Sequence, residues 1–115
     1  MLNLPELAGL KILLIEGDQL IRDALKASFL AKGCLLTAVN SATEGLSLLK
    51  ENCYDVIICD FELSGLDGFE FYKRAGENCT KSIRIILAGY GDIDPMSKVF
   101  EHGIDDIVEK PFPFE

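Results

Sequence analysis

The sequence predicts one α/β domain built on a five-stranded, parallel, doubly wound sheet. Three observations carry this expectation. Short apolar runs alternate with amphipathic stretches along the whole chain. The runs are continuous rather than alternating, as in strands covered on both faces. The links between them are short, and strand–helix–strand order with short links gives right-handed parallel crossovers. At 115 residues and 49% hydrophobic composition, the chain is near the common size of one domain and can bury a core without disulfides or a structural metal.

The first strand is Lys11 to Glu16, an unbroken K-I-L-L-I-E run. Asp18 is placed to cap the helix that follows, whose apolar positions Ile21, Ala24, Leu25, Ser28 and Phe29 recur at three- and four-residue steps. Gly33 supplies a left-handed stop. Leu35 to Val39 is the second strand, and Ser41-Ala42-Thr43-Glu44 reads as a capping box opening a helix with Leu46 and Leu49. Tyr54 to Cys59 is the third strand, followed by the Asp60 loop and a helix from about Gly68 to Arg74. Ile83 to Leu87 is the fourth strand. Asp94-Pro95 marks a cap and first helical residue, Gly103 ends that helix, and His102 falls in its last turn, where a cation complements the dipole. Ile104 to Glu109 is the fifth strand. The remaining Lys110-Pro111-Phe112-Pro113-Phe114-Glu115 is too proline-rich for a covering helix. The expectation is therefore a single domain, 1–115, forming the N-terminal part of a longer protein, with an uncovered sheet edge that favours a homodimer.

Nineteen acids against 11 bases give a net charge of −8. That disfavours a nucleic-acid surface, which needs a basic patch. No apolar run reaches the roughly 18 residues of a membrane span, and Met1 to Gly9 lacks the pattern of a signal peptide. A cytoplasmic protein is expected. Cys34, Cys53, Cys59 and Cys79 include no C-x-x-C pair, so a zinc site is not indicated. Cys34 and Cys59 fall in strands as buried small hydrophobes, while Cys53 and Cys79 fall in loops, with reduced thiols expected throughout.

The chemistry-bearing stretch is Val56-Ile57-Ile58-Cys59-Asp60 followed by Phe61-Glu62-Leu63-Ser64-Gly65-Leu66-Asp67-Gly68. A buried strand that stops at a carboxylate presents it at the carboxyl edge of the sheet, where open α/β sheets bind ligands. Asp67 and Gly68 fit a turn and helix start. Phe69, Phe71 and Tyr72 read as packing residues rather than a stacking platform for bases. Asp92 and Asp94 read as turn and cap.

Four blocks, in order and on the matching elements, resemble the receiver domain of bacterial two-component response regulators, the CheY-like family. They are Ile12-Leu13-Leu14-Ile15-Glu16-Gly17-Asp18 with Arg22, Tyr54 to Gly68, Ile83 to Asp92, and His102 to Phe112. The last two are most similar to receivers of the nitrogen-regulation type. The resemblance implies strand order 2-1-3-4-5 and a phosphoryl group passed from a histidine kinase or phosphotransfer protein to Asp60. It implies Mg²⁺ near Glu16, Asp60 and the backbone carbonyl of Glu62, with Asp18 also within reach. It matches Lys110 to the family lysine that takes charge opposite the metal, and Lys110-Pro111 to a junction whose peptide bond is commonly cis.

The sequence also departs from the family pattern. The second acid after the first strand, the direct metal ligand, is replaced by Gly17. The hydroxyl residue ending the fourth strand aligns with Ala88, which cannot donate a hydrogen bond, and its neighbour is Gly89. The aromatic switch position aligns with Ile107. Weak or absent Mg²⁺ binding is expected. The leading expectation is a receiver with a reduced acceptor site that works mainly through protein–protein contacts. It would reach its own or a partner's output domain through a face carrying Met96, Val99, Phe100 and Ile107, with no membrane or nucleic-acid contact. The alternative is an Asp60-phosphorylated receiver using substitute metal ligands. A third option, an aspartyl-nucleophile phosphatase, rests on a faint resemblance of Asp60-Phe61-Glu62-Leu63-Ser64 to the haloacid-dehalogenase motif. It is disfavoured because Asp60 lies on the third strand and is followed by Glu62 rather than D-x-D.

Overall fold

The structure is a computed structural model and describes residues 7–79, 81–89, 91 and 101–110. Strand β1 is Lys11–Ile15, helix α1 Gln19–Ala31, β2 Leu35–Val39, α2 Ala42–Glu51 and β3 Val56–Asp60. A short hairpin, β4 Glu62–Leu63 and β5 Leu66–Asp67, precedes α3 Gly68–Ala75. Strand β6 Ile83–Ala88, a 3-10 turn Glu101–Gly103 and β7 Asp106–Glu109 follow. The main sheet has the order β2-β1-β3-β6-β7 and every pair in it is parallel. With the hairpin set aside, this is the expected order 2-1-3-4-5.

The continuous apolar runs serve two cores at once. Successive residues of a strand face opposite sides, so Leu13 and Ile15 join Leu49, Ile57, Phe71, Tyr72 and Ile86 beneath α2 and α3. Ile12 and Leu14 join Cys34, Ile58 and Leu87, with Leu25 and Phe29 of α1 packed against them. Helix α1 meets this core through Leu25 and Phe29, Ile21 is buried at the helix start, and Ala24 and Ser28 are exposed, so its buried stripe is narrower than the spacing predicted. The helix starts follow their caps. Asp18 accepts from the backbone N–H of Leu20 and Ile21, Ser41 from Glu44, and Asp67 from Glu70.

Several expectations need correction. The Asp60 loop carries the β4–β5 hairpin, whose turn places Gly65 at φ 87°. The third strand begins at Val56 and the last at Asp106, each two residues later than predicted. Tyr54 and Ile104 are buried just ahead of those strands. His102 is not in a regular helical turn; it adopts φ 56°, ψ 31°. Cys53 and Cys79, expected as free thiols, are joined by a disulfide with a Cα–Cα distance of 5.4 Å, while Cys34 and Cys59 are free and buried. The helix expected from Asp94, and Met96, Val99 and Phe100 on it, lie outside the described residues, as does Pro111.

A buried arginine ties the far side of the fold together. Arg84, 3% exposed, donates to the carbonyl oxygens of Gly76 (2.8 Å), His102 (2.9 Å) and Asn78 (3.0 Å), and its guanidinium lies over the Tyr72 ring. Its charge is thus spread over backbone dipoles that would otherwise end unsatisfied.

Candidate functional site

The carboxyl edge of the sheet gathers the site because β1, β3 and β7 end there in register. Glu16 follows β1 and is fully buried. Its backbone N–H donates to Val39 O, and its Oε2 accepts from the N–H of Asp18 at 3.0 Å. Arg22 donates from Nη1 to the carbonyl of Glu16 at 2.8 Å and to that of Gly17 at 3.4 Å, pinning the β1–α1 connection. The Arg22 contact was not assigned from the sequence, although the residue falls inside the first motif block. Asp60 closes β3 and is 5% exposed. The next N–H, that of Phe61, donates to Leu87 O at 2.7 Å and holds the turn out of the strand. Lys110 follows β7, and its N–H donates to Ala88 O at 2.8 Å.

That backbone anchor brings Lys110 Nζ to 2.9 Å from Asp60 Oδ1 and 3.4 Å from Glu16 Oε1. One ammonium therefore faces two buried carboxylates. Both facing oxygens lie at ion-pair distance yet outside hydrogen-bond alignment. Burial pushes the Glu16 carboxyl up from its ordinary range, opposed by the Asp18 N–H and reinforced by the charge of Asp60. Burial lowers Lys110, but the contact with Asp60 and the charge of Glu16 outweigh it, and the ammonium is held above its ordinary range. Glu16, Gly17, Asp18, Ile21, Asp60, Glu62, Gly89 and Lys110 line a cleft of about 470 Å³. Ala88, 3% exposed, ends β6 one residue before Gly89, and Ile107 is half-buried on β7.

The structure thus brings together Asp60, Glu16, Lys110 and Glu62. Asp18 lines the cleft, but its Oδ1 is occupied in capping α1 at 2.9 and 3.2 Å. Among the described residues, no group of three or more His, Cys, Asp or Glu side chains is arranged to hold a metal ion. A hard cation such as Mg²⁺ takes oxygen ligands. Glu16 Oε1 and Asp60 Oδ1 are buried oxygens of the right kind without a hydrogen-bond donor, so the donor set fits Mg²⁺ in kind. It is thin in number, and Lys110 competes for the same two oxygens.

Comparison with known proteins places this geometry. The model of the response regulator receiver domain matches residues 12–115, and the chain belongs to that family. It is 39% identical over 100 residues to the transcriptional regulatory protein AfsQ1 of Streptomyces coelicolor, covering 87% of this chain and 44% of that protein. It is 34% identical over 102 residues to the hydrogenase transcriptional regulatory protein HoxA of Cupriavidus necator, covering 88% and 21%. The chain spans less than half the length of these relatives. Among solved structures, a response regulator receiver domain protein from Clostridium thermocellum superposes with a TM-score of 0.81 at 29% identity, covering 90% and 84% of the two chains. The response regulator TrrA of Thermotoga maritima, in complex with Mg²⁺ and BeF, gives a TM-score of 0.77 at 25% identity, covering 91% and 90%. Receiver domains are in general signalling modules rather than enzymes. No described helix is long and apolar enough to cross a membrane.

Proposed function

We propose that this domain is a two-component receiver that keeps its acceptor, Asp60, but has lost most of the means to charge and read it. It acts mainly through protein–protein contacts in the cytoplasm, as the N-terminal receiver part of a longer regulator. Its partners are a histidine kinase or phosphotransfer protein and its own or a partner's output domain, with homodimerisation through the same kind of surface.

The observation that carries this reading is the trio Glu16–Lys110–Asp60. The half-buried Lys110 ammonium neutralises the acceptor at 2.9 Å, while Gly17 offers no carboxylate and Ala88 no hydroxyl at the positions beside it. Mg²⁺, when bound, would be held by Glu16, Asp60 and the carbonyl of Glu62 with water completing its shell, and would neutralise phosphoryl charge. The chain's own part is to hold the Asp60 carboxylate at the mouth of the cleft and to keep Lys110 beside it. A switch needs a ligand that distinguishes two states, and neither Ala88 nor Ile107 has a polar or aromatic group to do so.

A second reading has support in the same trio. The Asp60–Lys110 contact is what an in-line phosphoryl acceptor needs, and an Asp60-phosphorylated receiver with substitute ligands would use it. Intact-mass spectrometry after incubation with Mg²⁺ and a small phosphoryl donor, beside Asp60→Asn, separates the two. A slow or absent adduct on the folded protein supports the reduced receiver. Rapid stoichiometric labelling, lost in Asp60→Asn, selects the second reading. Gly17→Asp is the gain-of-function arm: a Cβ there meets only Asn40 O at 3.9 Å, so the acid fits. It should tighten Mg²⁺ at least tenfold, about 1.4 kcal/mol.

A further inference from the structure

The amino edge of the sheet, opposite Asp60, holds chemistry that the receiver reading does not use. Cys53 lies three residues before β3, and Cys79 four residues before β6. The register Val56↔Ile83 sets the two strand starts side by side. The two approaches to them meet in the Cys53–Cys79 disulfide. Asp60 is the last of the five residues of β3, four steps from Val56 at this edge, about 13 Å at 3.3 Å per residue.

Three features distinguish this bond from a buried staple. Cys53 is exposed and Cys79 half-buried, on a groove of about 630 Å³ that Lys81 and Glu77 also line. A reductant therefore has access to a sulfur. Cys79 holds φ 55° without being glycine, a conformation that costs free energy. Its Sγ lies 3.2 Å from the carbonyl oxygen of Asn52. A disulfide sulfur has no proton to donate there, but a thiol would, so the reduced state has a ready partner. Arg84 also donates to the carbonyls of Gly76 and Asn78, contacts that do not run through the bond. The other two cysteines are removed from this chemistry: both are buried, and burial together with the charge of Asp60 pushes the Cys59 thiol far up.

We propose that Cys53–Cys79 is a reversible redox site, a substrate for a dithiol reductant, that sets the order of the α3–β6 connection. The reductant's thiolate attacks Sγ of the exposed residue Cys53. The S–S bond breaks, and its electron pair leaves on Cys79 as a thiolate, and that thiolate then takes a proton from water. The reductant's second thiol attacks the mixed disulfide and releases Cys53 as a thiolate that is protonated in turn. The balance is one protein disulfide and one dithiol giving one protein dithiol and one reductant disulfide. The proposal does not depend on how Asp60 is used.

The test is a redox titration of the folded protein against dithiothreitol, with the thiol state read by alkylation and mass. Thermal unfolding and amide hydrogen exchange are followed on the same samples. The expected result is complete, reversible reduction without global unfolding. Exchange should rise at 76–83 and stay unchanged at 11–16. The melting temperature should fall by about 10 °C as the cross-link is lost. A Cys53→Ser, Cys79→Ser double variant should match the reduced wild type in every redox buffer. The proposal is overturned if the bond yields only when the whole domain unfolds, if air-oxidised folded protein carries two free thiols at these positions, or if exchange at 76–83 is the same in both states. Because the reduced wild type is measured directly, a variant that fails to fold does not remove the test.

Discussion

Lys110 is one cation set between two buried acids, and the protonation of Glu16 decides how well that arrangement suits the fold. A carboxyl whose native pKa lies above its unfolded value binds its proton more tightly when folded. Its contribution to stability is complete below the ordinary Glu value of 4.5 and is lost as pH rises through the raised native value. Glu16→Gln removes that titration while keeping the shape. In urea unfolding, the stability of the variant relative to wild type should therefore rise as pH climbs from the ordinary Glu value of 4.5 through the raised native value, where Glu16 ionises against burial and against Asp60. A relative stability independent of pH would mean that Glu16 titrates as a free acid and that the trio is not coupled. Asp60 was legible from the apolar strand that it closes, whereas Glu16 and Lys110 were legible only through the resemblance to receiver domains. The sharing of Lys110 between both acids, and the grip of Arg22 on the Glu16 and Gly17 carbonyls, were not. Those depend on side-chain reach across elements, which spacing along the chain does not encode.

Helix α2 approaches the sheet through a glycine rather than an apolar side chain. A Cβ on Gly45 would lie 2.8 Å from Ile15 Cγ1 and 3.2 Å from the Phe71 ring, so the helix rests directly on β1 and against α3. Glycine-to-alanine in a helix interior ordinarily stabilises by up to about 1 kcal/mol. Here, overpacking of about 1–3 kcal/mol opposes it, and the second effect wins because Ile15 and Phe71 are both fully buried. Gly45→Ala should lower the unfolding free energy by about 1 kcal/mol, and a chemical melt showing a gain would mean that α2 can move away from the sheet. The helix itself was readable from Ser41 and Glu44, but this close approach was not, since a glycine in a helical pattern signals no partner. The same contrast runs through the other elements. Continuous apolar strands announced their two-faced burial, whereas β4 and β5 are two residues each and carry a turn glycine, so they read as loop. Cys53 and Cys79 are 26 residues apart, and only the β3–β6 register brings them together.

At the scale of the whole molecule, the net charge of −8 is spread over a body of 36 × 34 × 26 Å. The screening length is about 30 Å at 0.01 M salt and about 8 Å at 0.15 M. At low salt most surface charges sense one another and the acidic excess repels itself; near physiological salt only close neighbours interact. Exposed pairs such as Glu70–Arg74 at 3.0 Å pull the other way, but solvent screens them to a minor effect, and the Lys110 trio is too buried to be strongly screened. Sodium chloride should therefore stabilise the domain, by on the order of 1 kcal/mol between 0.01 and 0.5 M. Magnesium chloride at matched ionic strength adds a term that sodium cannot supply, because a ligand that binds only the folded state contributes RT ln(1 + [L]/Kd). With the cleft short of one carboxylate, the extra stabilisation at about 10 mM Mg²⁺ should stay below about 1.4 kcal/mol, which corresponds to a Kd weaker than about 1 mM. A larger excess that disappears in Asp60→Asn would show a strong metal site at the carboxyl edge and would overturn the reduced-receiver reading. An excess that survives Asp60→Asn would assign the ion to the acidic surface instead.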